Sequence, residues 1–128
     1  LRQITFKGTV FSGNGNGRKF IGLPWVKRQI IEKLGFTPYA GTLNICLTKE
    51  SAMQKEMLEK AKKSEILPEK GFCTGILIEA YIEGLNCGIV QPKVPGYPKE
   101  VLEVVSALNL REHLKLEDGS EVCVSVTV

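Results

Sequence analysis

From Ile4 to Ser12 the side chains alternate, Ile4, Phe6 and Val10 on one side and Thr5, Lys7, Thr9 and Phe11 on the other. That is the period of a strand with two usable faces. It runs into Gly13-Asn14-Gly15-Asn16-Gly17, a glycine loop ended by Arg18 and Lys19. From Pro24 to Leu34 the spacing becomes helical. Pro24 suits the first helical position, Val26, Ile30 and Leu34 form the stripe, and Gly35 terminates it. Thr37 to Gly41 is a turn. Thr42 to Thr48 alternates again, with Leu43, Ile45 and Leu47 opposite Thr42, Asn44, Cys46 and Thr48.

The second half is less regular. Residues 50–63 are highly charged, with Met53, Met57 and Ala61 at helical spacing, and predict a solvated helix or a long surface excursion. Phe72 to Ile82 is a strand or a strand pair. Cys87 to Val90 is a short strand, followed by a proline-rich loop from Gln91 to Pro98. Residues 99–116 fit one long helix, or a strand over 100–107 and a helix over 110–116. The second is favoured because Asn109 and Glu112 make a capping-box-like start. Asp118-Gly119 turns the chain, and Glu121 to Val128 alternates strictly, with Val122, Val124, Val126 and Val128 facing inward. About six strands with two or three short helices, and strands at both ends, predict a mostly β fold: a small closed or nearly closed barrel in one domain over 1–128.

Composition narrows the class. With 128 residues, 43% hydrophobic and 24% charged, the chain has the make-up of one soluble globular domain. A net charge of +3 permits an anionic small ligand and does not by itself argue for nucleic acid. Four cysteines, at 46, 73, 87 and 123, form no C-x-x-C pair, and His113 is the single histidine, which argues against a zinc site. The cysteines lie in apolar, strand-like stretches and read as buried free thiols of a reducing cytoplasm. No apolar run reaches membrane-span length and no signal peptide is visible, so the expectation is a cytoplasmic protein without a membrane partner. Leu1 stands where an initiator methionine is usual, so the reading leaves room for a processed chain with an N-terminal neighbour.

Three constellations carry candidate chemistry. In the glycine loop, alternate glycines let backbone N–H groups approach a phosphate, and Arg18 and Lys19 add positive charge. It fits neither the Walker loop nor the dinucleotide fingerprint, and a flexible Asn/Gly hairpin tip explains it equally well. Thr42 and Asn44 share a strand face ~7 Å apart. Both offer hard oxygen ligands, and Mg²⁺ takes one or two protein oxygens when phosphates and water complete its shell. Taken alone, a polar strand face is the better account of that pair. Glu103 faces away from Leu102 and Val104 and could accept a hydroxyl proton, or be a solvated surface acid. Arg111 suits a phosphate or a base, or pairs with a nearby glutamate. His113 is placed on the exposed side of a short helix.

In combination these motifs are more specific. Gly8-Thr9-Val10-Phe11-Ser12-Gly13-Asn14-Gly15-Asn16-Gly17, then Gly35-Phe36-Thr37-Pro38-Tyr39-Ala40-Gly41-Thr42-Leu43-Asn44, then Leu110-Arg111-Glu112-His113-Leu114-Lys115-Leu116-Glu117-Asp118-Gly119, in that order, resemble the archaeal CTP-dependent riboflavin kinase family over nearly the whole chain. The resemblance implies a cradle-loop β-barrel that transfers the γ-phosphate of CTP to the ribityl 5′-hydroxyl of riboflavin, giving FMN and CDP. It further implies that Gly13, Asn14, Gly15, Asn16, Gly17 and Arg18 hold the nucleotide phosphates. Thr42 and Asn44 would bind Mg²⁺, and Leu108, Asn109, Leu110 and Arg111 would line the cytidine site. Glu103 would meet the ribityl chain as base or orienting group. Phosphoryl transfer needs mainly positioning and charge neutralisation, which such a set supplies without histidines.

Two departures stand out. The family's threonine in the loop Val94 to Pro98 aligns with Pro95, which has neither hydroxyl nor N–H, so that flavin contact is lost or remade. The usual Ala-Pro before the cytidine segment is Ser106-Ala107. The competing readings are a non-catalytic flavin- or nucleotide-sensing module of a transcription regulator, whose nucleic-acid contact would come from a domain preceding Leu1, and a barrel DNA binder of the transition-state-regulator type. The second is disfavoured by the absence of a dominant basic excess.

Overall fold

A computed structural model describes residues 2–128; Leu1, on which the reading of a processed start rests, lies outside them. The chain runs β1 (Gln3–Phe11), α1 (Asn16–Ile21), α2 (Pro24–Leu34), β2 (Leu43–Leu47), α3 (Lys49–Gln54), a 3₁₀ segment (Lys55–Lys60), β3 (Lys63–Ile66), β4 (Gly75–Ile82), β5 (Leu85–Pro92), β6 (Val101–Val105), α4 (Leu110–His113) and β7 (Glu121–Thr127). Every strand pairing is antiparallel. The order β4-β5-β6-β2-β1-β7 closes on itself through a β4–β7 seam, making a barrel of six strands with β3 added outside on β4. The seam is short, with Tyr81 opposite Ser125 and Ile82 opposite Val124.

Two cores follow from which faces are apolar. The barrel interior is filled by Phe6, Val10, Ile45, Ile89, Leu102, Val104, Val124 and their neighbours. A second core lies between the barrel's outer wall and α1–α2, where Trp25, Val26 and Ile30 meet Ile66, Leu77, Val90 and Val105. The central strands β4, β5 and β6 are therefore buried on both faces, with Leu77 beside Ile78, Ile89 beside Val90 and Val104 beside Val105 dividing between the cores. A strand buried on both sides shows an apolar run rather than alternation. This is why the pattern over Phe72 to Ile82 fits one strand or a pair; the stretch holds a single strand, β4, which starts only at Gly75.

The predicted helix over 24–34 forms with those bounds, Val26 and Ile30 buried and Gly35 as its left-handed C-cap. The second alternative for 99–116 holds, shortened to β6 and α4, with the Asn109 side chain accepting from Glu112 N. The expected barrel of about six strands forms; β3, the strand outside it, carries one buried apolar residue, Ile66, and no alternation to read. Three expectations are corrected. The charged stretch begins as α3 and then tightens to 3₁₀. The change in residues per turn breaks the stripe, leaving Met53 exposed while Ser51, Leu58 and Ala61 are buried. The glycine loop is not a hairpin tip: β1 pairs with β2 and β7, and the loop leads into α1. Of the cysteines, Cys87 is buried and its thiol is pushed up to about 12 by that burial, whereas Cys46 and Cys73 are exposed and Cys123 is intermediate. Cys46 shares the outward face of β2 with Asn44, away from the barrel interior. No helix of the described residues is long and apolar enough to cross a membrane.

Candidate functional site

Strand register assembles the site on the outer wall, where β1, β2 and β6 adjoin. Phe11 lies opposite Asn44, and Asn44 lies opposite Glu103. Directly paired residues share a face with their Cβ atoms about 5 Å apart, so Asn44 and Glu103 are neighbours. This is the face turned away from Leu43, Ile45, Leu102 and Val104, which point into the barrel. Thr42, two residues before Asn44, falls on the same side, and its Oγ1 donates to Glu103 Oε1 at 3.3 Å.

The glycine loop folds directly onto this trio. A Cβ at Gly13 would collide with the Asn44 carboxamide, and one at Gly17 would collide with Thr42 Oγ1 and lie 3.0 Å from Glu103 Oε1. Both positions owe their glycine to this close approach. Within the loop, Asn14 Oδ1 accepts from Asn16 N at 3.0 Å, and Gly15, with φ of 87°, supplies the left-handed turn into α1. Loop and strand wall together form a cleft of about 770 Å³, lined by Gly13 through Arg18, Thr42, Asn44, Glu103 and Leu108 through Arg111. Arg18 stands exposed at its edge.

Glu103 is held from a second side. Tyr97, half-buried in the loop before β6, donates its hydroxyl to Glu103 Oε2 at 2.6 Å. Burial, and then the adjacent carboxylate, push the Tyr97 phenol well above its ordinary value, so it stays a donor. Lys55, at the start of the 3₁₀ segment, places its Nζ 4.9 Å from the centre of the Tyr97 ring. The same ammonium donates to the carbonyls of Val101 at 2.6 Å and Pro98 at 3.3 Å. Burial pulls Lys55 down to about 8, while the charges of Glu100 and Glu103 act upward.

At the other end of the cleft the segment 108–111 is largely committed to structure. Asn109 Oδ1 caps α4 and its Nδ2 donates to Tyr39 Oη at 3.1 Å. Leu110 is buried in the barrel core. Arg111 Nη2 donates to Asp118 Oδ1 at 2.7 Å and reaches Ser12 Oγ at 3.4 Å, while Ser12 donates to both Asp118 oxygens at 2.9 Å. The Arg111 guanidinium, and then Ser12, hold the Asp118 carboxyl below the usual carboxylate range. Arg111 thus pairs with Asp118 rather than with a glutamate, and it ties α4 to the end of β1. His113 is exposed, as its helical position predicts.

Of the residues that the resemblance assigns to the site, the cleft lining holds all but one. Pro95 is exposed and lies outside the cleft lining; its loop reaches the cleft through Tyr97 and Pro98 instead. Tyr97 and Tyr39 were not assigned roles from sequence. The available signal was that Tyr97 is the one aromatic side chain in the proline-rich loop Gln91 to Pro98. A second cavity of about 360 Å³ adjoins Tyr97, walled by Met53, Leu58, Ile76 and Ile89 and by charged side chains that include Lys55 and Lys99.

The donor set suits a hard cation. Thr42 Oγ1 points its hydrogen at Glu103 and keeps its oxygen lone pairs free, Asn44 offers a carboxamide oxygen, and a carboxylate stands beside them. No group of three or more His, Cys, Asp or Glu placed for a metal occurs among the described residues. A cation here would therefore draw most of its shell from water and ligand phosphates, as Mg²⁺ commonly does.

The family model CTP-dep_RFKase, described as a domain of unknown function, DUF120, matches residues 10–126. Among curated relatives, a "Riboflavin kinase" of Ignicoccus hospitalis is 39% identical over 98% of this chain and 72% of its own length. One of Archaeoglobus fulgidus is 38% identical over 96% of this chain and 54% of its own. One of Sulfurisphaera tokodaii is 36% identical over 96% of this chain and 95% of its own.

Proposed function

Since the chain belongs to the CTP-dependent riboflavin kinase family, we propose that it phosphorylates riboflavin with CTP, giving FMN and CDP. The observation that carries this reading is the convergence of Glu103, Thr42 and Asn44 beneath the glycine loop in one cleft. In the transfer, the ribityl 5′-oxygen forms a bond to the γ-phosphorus, the bond from that phosphorus to the β–γ bridging oxygen breaks, and the hydroxyl proton leaves toward Glu103. Glu103 accepts that proton's hydrogen bond and orients the hydroxyl for in-line attack. The backbone of Gly13 to Gly17 and the Arg18 guanidinium bind and align the triphosphate. Thr42 and Asn44 would hold Mg²⁺, which neutralises the charge of the phosphates.

The cytidine end falls to 108–111. Since Asn109 and Leu110 turn their side chains to capping and core, that segment reads the base with its backbone, beside the half-exposed Leu108 side chain. The cavity adjoining Tyr97 suits the flat isoalloxazine ring, with the ribityl chain running past Tyr97 to Glu103. The free cysteines, two of them exposed, support a reducing, cytoplasmic setting.

The test is incubation with riboflavin, Mg²⁺ and either CTP or ATP, with FMN read by chromatography. FMN from CTP and little from ATP is the expected result. Tight flavin or nucleotide binding without product would instead establish a sensor.

A further inference from the structure

We propose that Tyr97 is a positioning residue for the transfer: its hydroxyl fixes the Glu103 carboxylate in the orientation from which it meets the attacking hydroxyl. The inference rests on the kinase reading and adds to it a residue that does no chemistry itself.

A carboxylate on a strand can rotate about its terminal bond, and an oriented acceptor must not. Glu103 is held at both oxygens, Oε2 by Tyr97 at 2.6 Å and Oε1 by Thr42 at 3.3 Å. The Tyr97 contact is much the shorter, and a hydrogen bond to an ionised group is among the stronger kinds. One lone-pair direction of each oxygen is taken, and those that remain are available to the cleft. A misplacement of about 1 Å in such an arrangement can cost on the order of a hundredfold in rate.

Tyr97 is itself held. The Lys55 ammonium lies 4.9 Å from the ring centre and clamps the carbonyls of Pro98 and Val101, on the stretch joining Tyr97 to β6. A cation over an aromatic face, with two carbonyls on the same ammonium, restrains both the ring and its loop. Of this loop, Tyr97 lines the cleft while Pro95, two residues earlier, has no hydroxyl and sits outside it.

The experiment is a double-mutant cycle on Tyr97→Phe and Glu103→Ala. FMN formation is followed in steady state and in single turnover, and melting temperatures are read without substrates. Tyr97→Phe keeps the ring and removes only the hydroxyl. In the otherwise wild-type enzyme it should lower kcat roughly ten- to a hundredfold, the range for losing a hydrogen bond to a charged group. The KM values for CTP and riboflavin should change less than about twofold, since the lost contact binds neither substrate in the ground state. With Glu103→Ala the same change should alter the single-turnover rate less than about twofold. A Tyr97→Phe loss of equal size in both backgrounds, full activity of Tyr97→Phe alone, or additive melting temperatures would each overturn the positioning role. A wild-type protein that makes no FMN from CTP would instead overturn the kinase reading, and the melting cycle would still report whether the hydrogen bond couples the two residues.

Discussion

At Gly17 a single added methyl group would occupy space that Thr42 Oγ1 already fills and press on Glu103 Oε1; at Gly13 it would displace the Asn44 carboxamide. The loop's glycines therefore shape Thr42 and Asn44, the pair proposed to hold Mg²⁺. Gly17→Ala should lower kcat/KM for CTP by about a hundredfold or more, as expected for a catalytic group shifted by about 1 Å. It should also raise the Mg²⁺ concentration for half-maximal rate, as Thr42→Ala should. Magnesium titrations of the wild type and both variants check this; an unchanged Gly17→Ala midpoint would separate the loop from the cation. The shared face of Thr42 and Asn44 was legible from the alternation of β2 alone. That Glu103 stands beside them was not, because alternation assigns a face but no cross-strand partner.

Site and support adjoin each other. β2, with Thr42 just before it, and β6 present the polar trio and β1 leads into the loop over it, while α2 closes the second core on the neighbouring part of the wall, where Val90 lies opposite Glu103. Ile30 is fully buried in that core and lines no part of the cleft. Ile30→Ala should cost about 2–5 kcal/mol of stability, the usual penalty for truncating a buried isoleucine, and leave kcat for FMN formation unchanged well below the melting temperature. Urea denaturation and steady-state assays read the two quantities; a matching loss of kcat would mean that α2 also shapes the cleft. The bounds of α2 were legible because its proline, stripe and terminal glycine are all local signals. The tightening of 55–60 into a 3₁₀ segment was not.

For the whole molecule, the pairing of β2 with both β1 and β6 is what unites the loop after β1, the face of β2 and the start of β6, drawn from residues 13–18, 42–44 and 97–103. A ligand that bridges these segments binds the closed barrel and not the unfolded chain. Mg²⁺ with CTP at about a hundred times its Kd should therefore stabilise by about 2.7 kcal/mol, a rise of several degrees in melting temperature for a domain of this size. Mg²⁺ alone should shift it little, since the protein supplies few of the cation's ligands. Thermal scans with Mg²⁺, CTP and both together test this; an equal shift from Mg²⁺ alone would contradict the reliance on phosphates.

Local patterning determined the strand faces, the bounds of α2, the cap of α4 and the inward valines of β7, because each is set by neighbours within a few residues. The ordered motifs likewise pointed to the family, and with it to the trio, the loop and the cytidine segment. Tertiary structure alone decided the outside strand β3, the exposure of Cys46 and Cys73, the Arg111–Asp118 tie and the contact of Tyr97 with Glu103. Each depends on which strand lies beside which, or on how a loop returns to the wall, and those are settled by long-range packing and register that no single stretch of chain encodes.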